Sequence, residues 1–172
     1  MTSLPDTPGT VNAVTPPFSP VTDRDLAILR VQLGRPARGV VGIAARCVCG
    51  NPVVVATAPR LADGTPFPTF YYLTHPAATA AMSTLEADHV MRGLQDSLAD
   101  DDVRAGYERA HHAYLRDRSA FGEVDEIAGV SAGGMPTRVK CLHALAGHAL
   151  AAGPGVNPIG DRALELSTWS PR

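Results

Sequence analysis

One short stretch of the chain concentrates side chains that can hold a metal ion or act as nucleophiles. Between positions 140 and 148 lie one thiol, two imidazoles and the only lysine of the chain, in the order Lys140, Cys141, His143 and His148. Thiolate and imidazole groups are ligands of zinc and of iron. Most of the residues between them are Ala, Leu and Gly, and a helix that only packs against a core does not need these polar groups. The stretch therefore predicts a functional site.

The first hypothesis is a zinc or iron site formed by Cys47, His75, Cys141 and His148. Cys47 and His75 end two predicted strands, whereas Cys141 and His148 belong to one predicted helix, residues 137–152. Seven positions separate the latter two, so they are about 20° apart around that helix but roughly 10 Å apart along it. Helical geometry also turns His143 about 160° from Cys141, although His143 stays in the wider candidate cluster. The spacing matches no zinc motif, and ordinary packing of these residues is the alternative.

The second hypothesis is an anion site, for phosphate or a nucleotide, at the start of the same helix. Gly133 and Gly134 let the backbone approach a ligand, and a helix N-terminus adds partial positive charge to that of Arg138 and Lys140. The turn at Asn157 is expected to close over the site. No Walker loop is present. The alternative is that the two basic residues pair with the acidic middle of the chain.

The third hypothesis is a cysteine-dependent enzyme. Cys141 lies close to a predicted helix N-terminus, which favours the thiolate, and His143, His148 or His75 is the candidate base. Neither histidine of the helix is expected to reach the sulfur easily, which makes His75 the better partner. A structural or partner-binding role without catalysis also stays open.

Composition excludes several classes of protein. The chain has 172 residues, of which 45% are hydrophobic, enough for a sizeable core. A net charge of −2 argues against nucleic-acid binding, and no apolar run approaches the ~20 residues of a membrane-spanning helix. Three cysteines without a secretory signal argue against a disulfide framework and for the cytoplasm.

The pattern along the chain predicts an α+β fold, with a small antiparallel sheet of about three strands covered by four or five helices. Residues 1–21 are rich in Pro and Thr and are expected to be a disordered tail, and residues 22–168 are expected to form a single globular domain. Thr22 and Asp25 predict a capped first helix that ends before Gly34. Strands are predicted over residues 40–47, 53–57 and 69–74, and further helices over 77–98, 100–121, 137–152 and up to Leu166.

Several motifs, in order, resemble the bacterial domain of unknown function 501 family. They are Arg46-Cys47, the stretch 63–76, Tyr107, Ala110-His111, Tyr114, the stretch 131–143, His148 and the stretch 155–161. The resemblance runs from about Arg24 to Leu166 and implies no activity. The family pattern has Pro-x-Gly after the first cysteine, where this chain has Val48 and Cys49 before Gly50, so the resemblance favours Cys47 for a shared role. It also implies that cysteine replaces His75 in some relatives, a change that a metal site tolerates.

Overall fold

A three-stranded antiparallel sheet lies at the centre of the structure, a computed structural model in which residues 18–171 are described. The strands are β1 (Val40–Arg46), β2 (Pro52–Thr57) and β3 (Tyr71–Leu73), in the order β1-β2-β3. The helices are α1 (Asp23–Leu33), α2 (Pro76–Ala87), α3 (Val90–Asp96), α4 (Asp101–Ser119), α5 (Leu142–Ala152) and α6 (Pro158–Leu166). The predicted α+β class is confirmed, with six helices in the described residues.

The middle strand is covered on both faces, which explains its unbroken apolar sequence. All six residues of β2 are buried. Successive side chains of a strand point to opposite faces: Val54 belongs to the main core, whereas Val55 packs with Leu29 of α1 and Ile43 of β1. A strand buried on both sides reads as a continuous hydrophobic run rather than as an alternating one.

The first helix begins where the sequence predicts, because its capping box also binds the sheet. The Thr22 side chain accepts a hydrogen bond from the Asp25 amide, and the Asp25 carboxylate accepts one from the Thr22 amide. The same carboxylate takes two hydrogen bonds from the Arg46 guanidinium, at 2.6 and 2.9 Å. Arg46 is the main reason why the pKa of Asp25 is far below its ordinary value. One acidic residue therefore fixes α1 against the end of β1.

The helix predicted over residues 77–98 is interrupted near its middle. α2 ends at Ala87 and α3 begins at Val90, with His89 between them at φ 60°, in the left-handed region. A non-glycine residue with this backbone conformation cannot continue a right-handed helix. The break ends α2 soon after Glu86, a residue that is important for the site described below.

Phe18 and Ser19, near the end of the predicted tail, are ordered in the structure. Residues 1–17 lie outside the described residues, but Phe18 packs against Phe70, Tyr71 and Phe121, with ring centroids 5.5 to 6.0 Å away. Ser19 exchanges two backbone hydrogen bonds with Ile43, each 3.0 Å long. Phe18 and Ser19, which the sequence places in the tail, are therefore held by contacts with the rest of the described chain. Proline-rich composition did not reveal that one aromatic side chain anchors the segment.

Within residues 18–171, no helix combines the length and the apolar character that crossing a bilayer requires.

Candidate metal centre

The segment before α5 is not helical. The sequence predicts a helix over residues 137–152, but α5 starts at Leu142, and Cys141 has φ −151° and ψ 109°. A side chain from α3 holds the preceding segment: Gln95 accepts a hydrogen bond from the Val139 amide at 2.8 Å and donates one to the Thr137 carbonyl at 3.2 Å. The predicted helix start is therefore wrong by five residues, because a tertiary contact determines it.

This later start brings Cys141 and His143 together. Angles measured around a helix do not apply to Cys141, which lies outside α5, so the predicted 160° separation from His143 is wrong. The Cys141 Sγ atom lies 4.0 Å from the Nδ1 atom of His143. Both side chains are partly exposed. Residues that the sequence assigned to different surfaces therefore face one another.

Glu86 of α2 completes the cluster. Its Oε1 atom lies 3.2 Å from His143 Nδ1 and accepts a hydrogen bond of 2.8 Å from the Leu142 amide, the first N–H group of α5. A carboxylate at a helix N-terminus is stabilised by the helix dipole. Among residues 18–171, Glu86, Cys141 and His143 are the only group of three or more Cys, His, Asp or Glu side chains whose donor atoms lie within 4.8 Å of one another.

The other ring nitrogen of His143 is held by backbone. His143 Nε2 lies 3.1 Å from the Thr79 carbonyl oxygen and 3.1 Å from the Ser83 hydroxyl. A carbonyl oxygen only accepts hydrogen bonds, so Nε2 carries the proton. In the neutral ring this leaves the lone pair on Nδ1, the atom that faces both the sulfur and the carboxylate. Such a second contact fixes the orientation and tautomer of histidines that bind metals.

The charges of the cluster influence one another. The hydrogen bond with His143 is the largest cause of a lowered pKa for the Cys141 thiol. The same contact, followed by the charge of Glu86, raises the pKa of His143. In the absence of a metal ion the cluster therefore favours a thiolate beside an imidazolium.

Cys141 and His143 line a cleft of about 470 Å³. Its other walls come from β3, from α2 and from the loop before α5, and include Tyr72, Thr79, Ser131 and Gly133. This volume lies within the usual range of small-molecule sites. The sulfur and the imidazole are therefore accessible to a ligand of that size.

The other predicted metal ligands lie elsewhere. Cys47 forms a disulfide with Cys49, so its sulfur cannot bind a metal in this state. This bond joins residues two positions apart and ties no elements together. His75 precedes α2 and contacts Trp169, with ring centroids 5.7 Å apart. The structure therefore does not bring together the predicted ligand set of Cys47, His75, Cys141 and His148. The wider cluster that adds His143 is not assembled as a whole either.

His148 is a core residue. It is fully buried, it stacks on Tyr71 with ring centroids 5.4 Å apart, and its Nδ1 atom lies 3.2 Å from the Asn157 amide nitrogen. That amide group donates, so Nδ1 accepts. Burial is the main reason why the pKa of His148 falls to about 4. The ring is neutral in the folded protein at pH 7.

This buried imidazole predicts a loss of stability in acid. The unfolded chain takes up a proton near pH 6.5, but the folded chain does so only near pH 4, so lowering the pH favours unfolding over that interval. We expect His148 to contribute a loss of about 3 kcal/mol between pH 7 and pH 4. Urea unfolding at several pH values measures it. The His148→Gln curve should be flatter than the wild-type curve, whereas the exposed control His112→Gln should follow the wild type; parallel curves for all three would contradict the prediction.

The predicted anion site is not assembled either. The Arg138 and Lys140 amides bind the carbonyl groups of Gly134 and Gly133, at 2.9 and 2.7 Å, in a closed turn. Asn157 is fully buried, and its side chain caps α6 by accepting from the Gly160 amide at 2.9 Å. The N-terminus of α5 already has an anion, the Glu86 carboxylate. Of the predicted phosphate ligands, Asn157 therefore has a structural role, whereas the side chains of Arg138 and Lys140 are exposed.

Glu86 was not among the predicted ligands, although the pattern of polar residues in α2 indicates it. Thr79, Ser83 and Glu86 recur at steps of four and three, which places them on one face of α2. In a helix otherwise rich in Ala, such a polar stripe indicates a polar neighbour. Ser83 and Glu86 contact His143 through their side chains, and Thr79 contacts it through its backbone carbonyl.

Fold and site together define an α+β protein with a Cys/His/Glu cluster at the edge of a cleft. The family model described as "Protein of unknown function (DUF501)" matches residues 43–165, which is most of the chain. The chain belongs to this family, as the motifs indicated. No curated protein and no solved structure matches it.

Proposed function

We propose that this protein binds a zinc or iron(II) ion through Glu86, Cys141 and His143. One observation carries the proposal: sulfur and carboxylate oxygen approach the same ring nitrogen, Nδ1 of His143, while Nε2 donates to a backbone carbonyl. The lone pair of the neutral imidazole then points to the space between the other two donors. Thiolate, imidazole and carboxylate are all ligands of zinc.

The distances are close to those of a tetrahedral site. Ligand bonds of about 2.0 Å to nitrogen and oxygen and about 2.3 Å to sulfur put adjacent ligand atoms roughly 3.3 to 3.6 Å apart. The carboxylate lies 3.2 Å from Nδ1, and the sulfur lies 4.0 Å from it. A small movement of the Cys141 side chain, which is partly exposed, closes the difference.

Three protein ligands leave a fourth position for a ligand. Structural zinc sites use four protein ligands, whereas sites that act on substrates keep one position for water or substrate. Here two of the three donors line the cleft. We therefore infer a centre that presents its ion to a small molecule rather than one that only stabilises the fold.

Metal analysis tests this proposal directly. Protein purified without a metal-chelating tag and loaded with zinc should retain about one ion per chain after gel filtration. Cobalt(II) loading should add an absorption band from thiolate-to-metal charge transfer. Protein that retains less than a tenth of an ion, with no such band, would contradict the proposal.

A second candidate function is supported by the ionic state of the thiol. His143 lowers the pKa of Cys141, and a thiolate is the nucleophilic form of cysteine. Contrary to expectation, the partner is His143 rather than His75. A cysteine-dependent reaction at the same cleft is therefore the alternative.

Alkylation of Cys141 separates the two functions. Without metal, we expect the rate of reaction with iodoacetamide to reach half its maximum at a lower pH than for an ordinary thiol. In His143→Ala this midpoint pH should shift upward. One equivalent of zinc should slow the reaction at least about tenfold if the sulfur binds the ion. Mass spectrometry of the modified peptide measures both effects. A rate that zinc does not change favours the nucleophile over the metal ligand.

A further inference from the structure

A serine and a histidine outside the metal centre form a second reactive pair. The Ser131 hydroxyl oxygen lies 2.8 Å from the Nδ1 atom of His111, on α4. Each residue is only 8% exposed. The partner of His111 is therefore a hydroxyl group at the wall of the cleft.

The tautomer of the His111 ring sets the direction of this hydrogen bond. The Ser131 hydroxyl also donates to the Met135 carbonyl at 3.4 Å, and it turns its proton to the closer Nδ1 atom of His111 when the ring carries its own proton on Nε2. Burial is the main cause of a lowered pKa for His111, which keeps the ring neutral near pH 7. A neutral ring with its lone pair on Nδ1 can accept the serine proton.

The loop after Ser131 must stay close to α5. Gly133 has φ 68°, and a Cβ atom there would lie 2.6 Å from the Leu145 side chain. Only glycine fits this backbone without strain. Within the described residues the Gly133 amide donates no hydrogen bond, and Gly133 lines the cleft. An N–H group is therefore free to bind a ligand oxygen two residues from the serine.

The chemistry of the cleft walls restricts the substrate. The lining residues include the apolar or hydroxyl-bearing side chains of Tyr72, Leu73, Thr79 and Ala144, and none of them is Asp, Glu, Lys or Arg. Cys141 and His143 also line the cleft, but a thiolate beside an imidazolium carries no net charge, so a charged ligand would lose solvation there without a net countercharge. An uncharged ester with a small acyl group fits these walls.

We propose that Ser131 is a nucleophile, that His111 is its general base, and that the cleft takes uncharged carboxylic esters. The proposal goes beyond metal binding and does not depend on it. Ser131 Oγ forms a bond with the ester carbonyl carbon while its proton passes to His111 Nδ1. When the carbon–oxygen bond of the alcohol breaks, the alcohol takes that proton. Water then attacks the acyl-serine by the same path in reverse, releasing the acid and restoring Ser131.

Labelling with diisopropyl fluorophosphate tests the pair. The reagent should phosphorylate Ser131, releasing fluoride, and peptide mapping locates the adduct. Ser131→Ala should abolish the adduct, and His111→Gln should slow its formation at least about 100-fold, the contribution of a general base. The matched control His112→Gln changes the exposed neighbour and should react like the wild type.

The experiment is done on protein treated with a chelator, so its outcome is separate from that of the metal proposal. Labelling at Ser131 in protein that binds no metal supports the serine site alone. An unlabelled wild type, an adduct on another residue, or a His111→Gln variant that reacts as fast as the wild type overturns the proposal. Labelling of the wild-type protein tests the proposal even if a variant fails to fold.

Discussion

Replacing Cys141 with serine is expected to lower the affinity for zinc by more than about 100-fold. Loss of an outer-shell partner of a metal ligand typically costs roughly 10–100-fold, and loss of a ligand itself costs more. Among residues 18–171 the sulfur is one of three donors that meet at this site, so no fourth ligand in that range compensates. Competition with a chromophoric zinc chelator measures the affinity. Glu86→Gln keeps the size of the side chain and should also weaken binding strongly.

The chain provides a matched control for this prediction. The double variant Cys47→Ser/Cys49→Ser removes the other two cysteine sulfur atoms, which are joined in a disulfide. It should bind zinc as the wild type does. If the double variant loses the ion while Cys141→Ser keeps it, the metal is held at the β1–β2 turn, and the proposed ligand set is wrong.

Gly160→Ala should destabilise the fold by about 3 kcal/mol or more, a typical cost for overpacking at a site that cannot relax. Gly160 lies in α6, where that helix crosses α5. A Cβ atom added there would overlap the Leu145 carbonyl oxygen and would lie 2.8 Å from the Ala149 Cβ atom. A carbonyl group within a helix cannot move without shifting the helix. Urea unfolding at constant pH and temperature measures the change.

Gly93→Ala is the control for this substitution, because it changes the same residue type in another helix. Gly93 is exposed in α3, and a Cβ atom there has open space within 4 Å. Alanine is favoured over glycine inside helices, so this variant should gain about 0.5–1 kcal/mol. Equal effects at the two positions would show that α5 and α6 do not pack as closely as the structure indicates.

The fold could be predicted from the sequence where local signals decide the structure. Thr22 and Asp25 form the capping box that their spacing predicts, and Gly34 ends α1 in the left-handed conformation. The β-branched runs around Val40 and Val54 form paired strands. In these places the local preference and the tertiary contacts agree.

The site could be predicted only in part, because tertiary contacts determine its geometry. Cys141 and His143 were recognised as reactive residues, but their separation was calculated on a helix that starts five residues too early. The contacts of Gln95 and Glu86 with that segment decide where α5 begins. Both residues are more than 45 positions away from Cys141, beyond the reach of any local pattern.

The roles of the other predicted ligands also depend on tertiary contacts that the sequence does not show. Nothing in the residue type separates a buried histidine such as His148 from one at a cleft such as His143. The difference lies in their neighbours: His148 stacks on Tyr71, whereas His143 faces Glu86 and Cys141.

X-ray absorption spectroscopy of the zinc-loaded protein tests the proposed metal centre most directly. We expect one sulfur ligand at about 2.3 Å and nitrogen or oxygen ligands at about 2.0–2.2 Å, including one imidazole. In Cys141→Ser the sulfur contribution should vanish. A shell without sulfur, or one with two or more sulfur atoms, would contradict a site built from Glu86, Cys141 and His143.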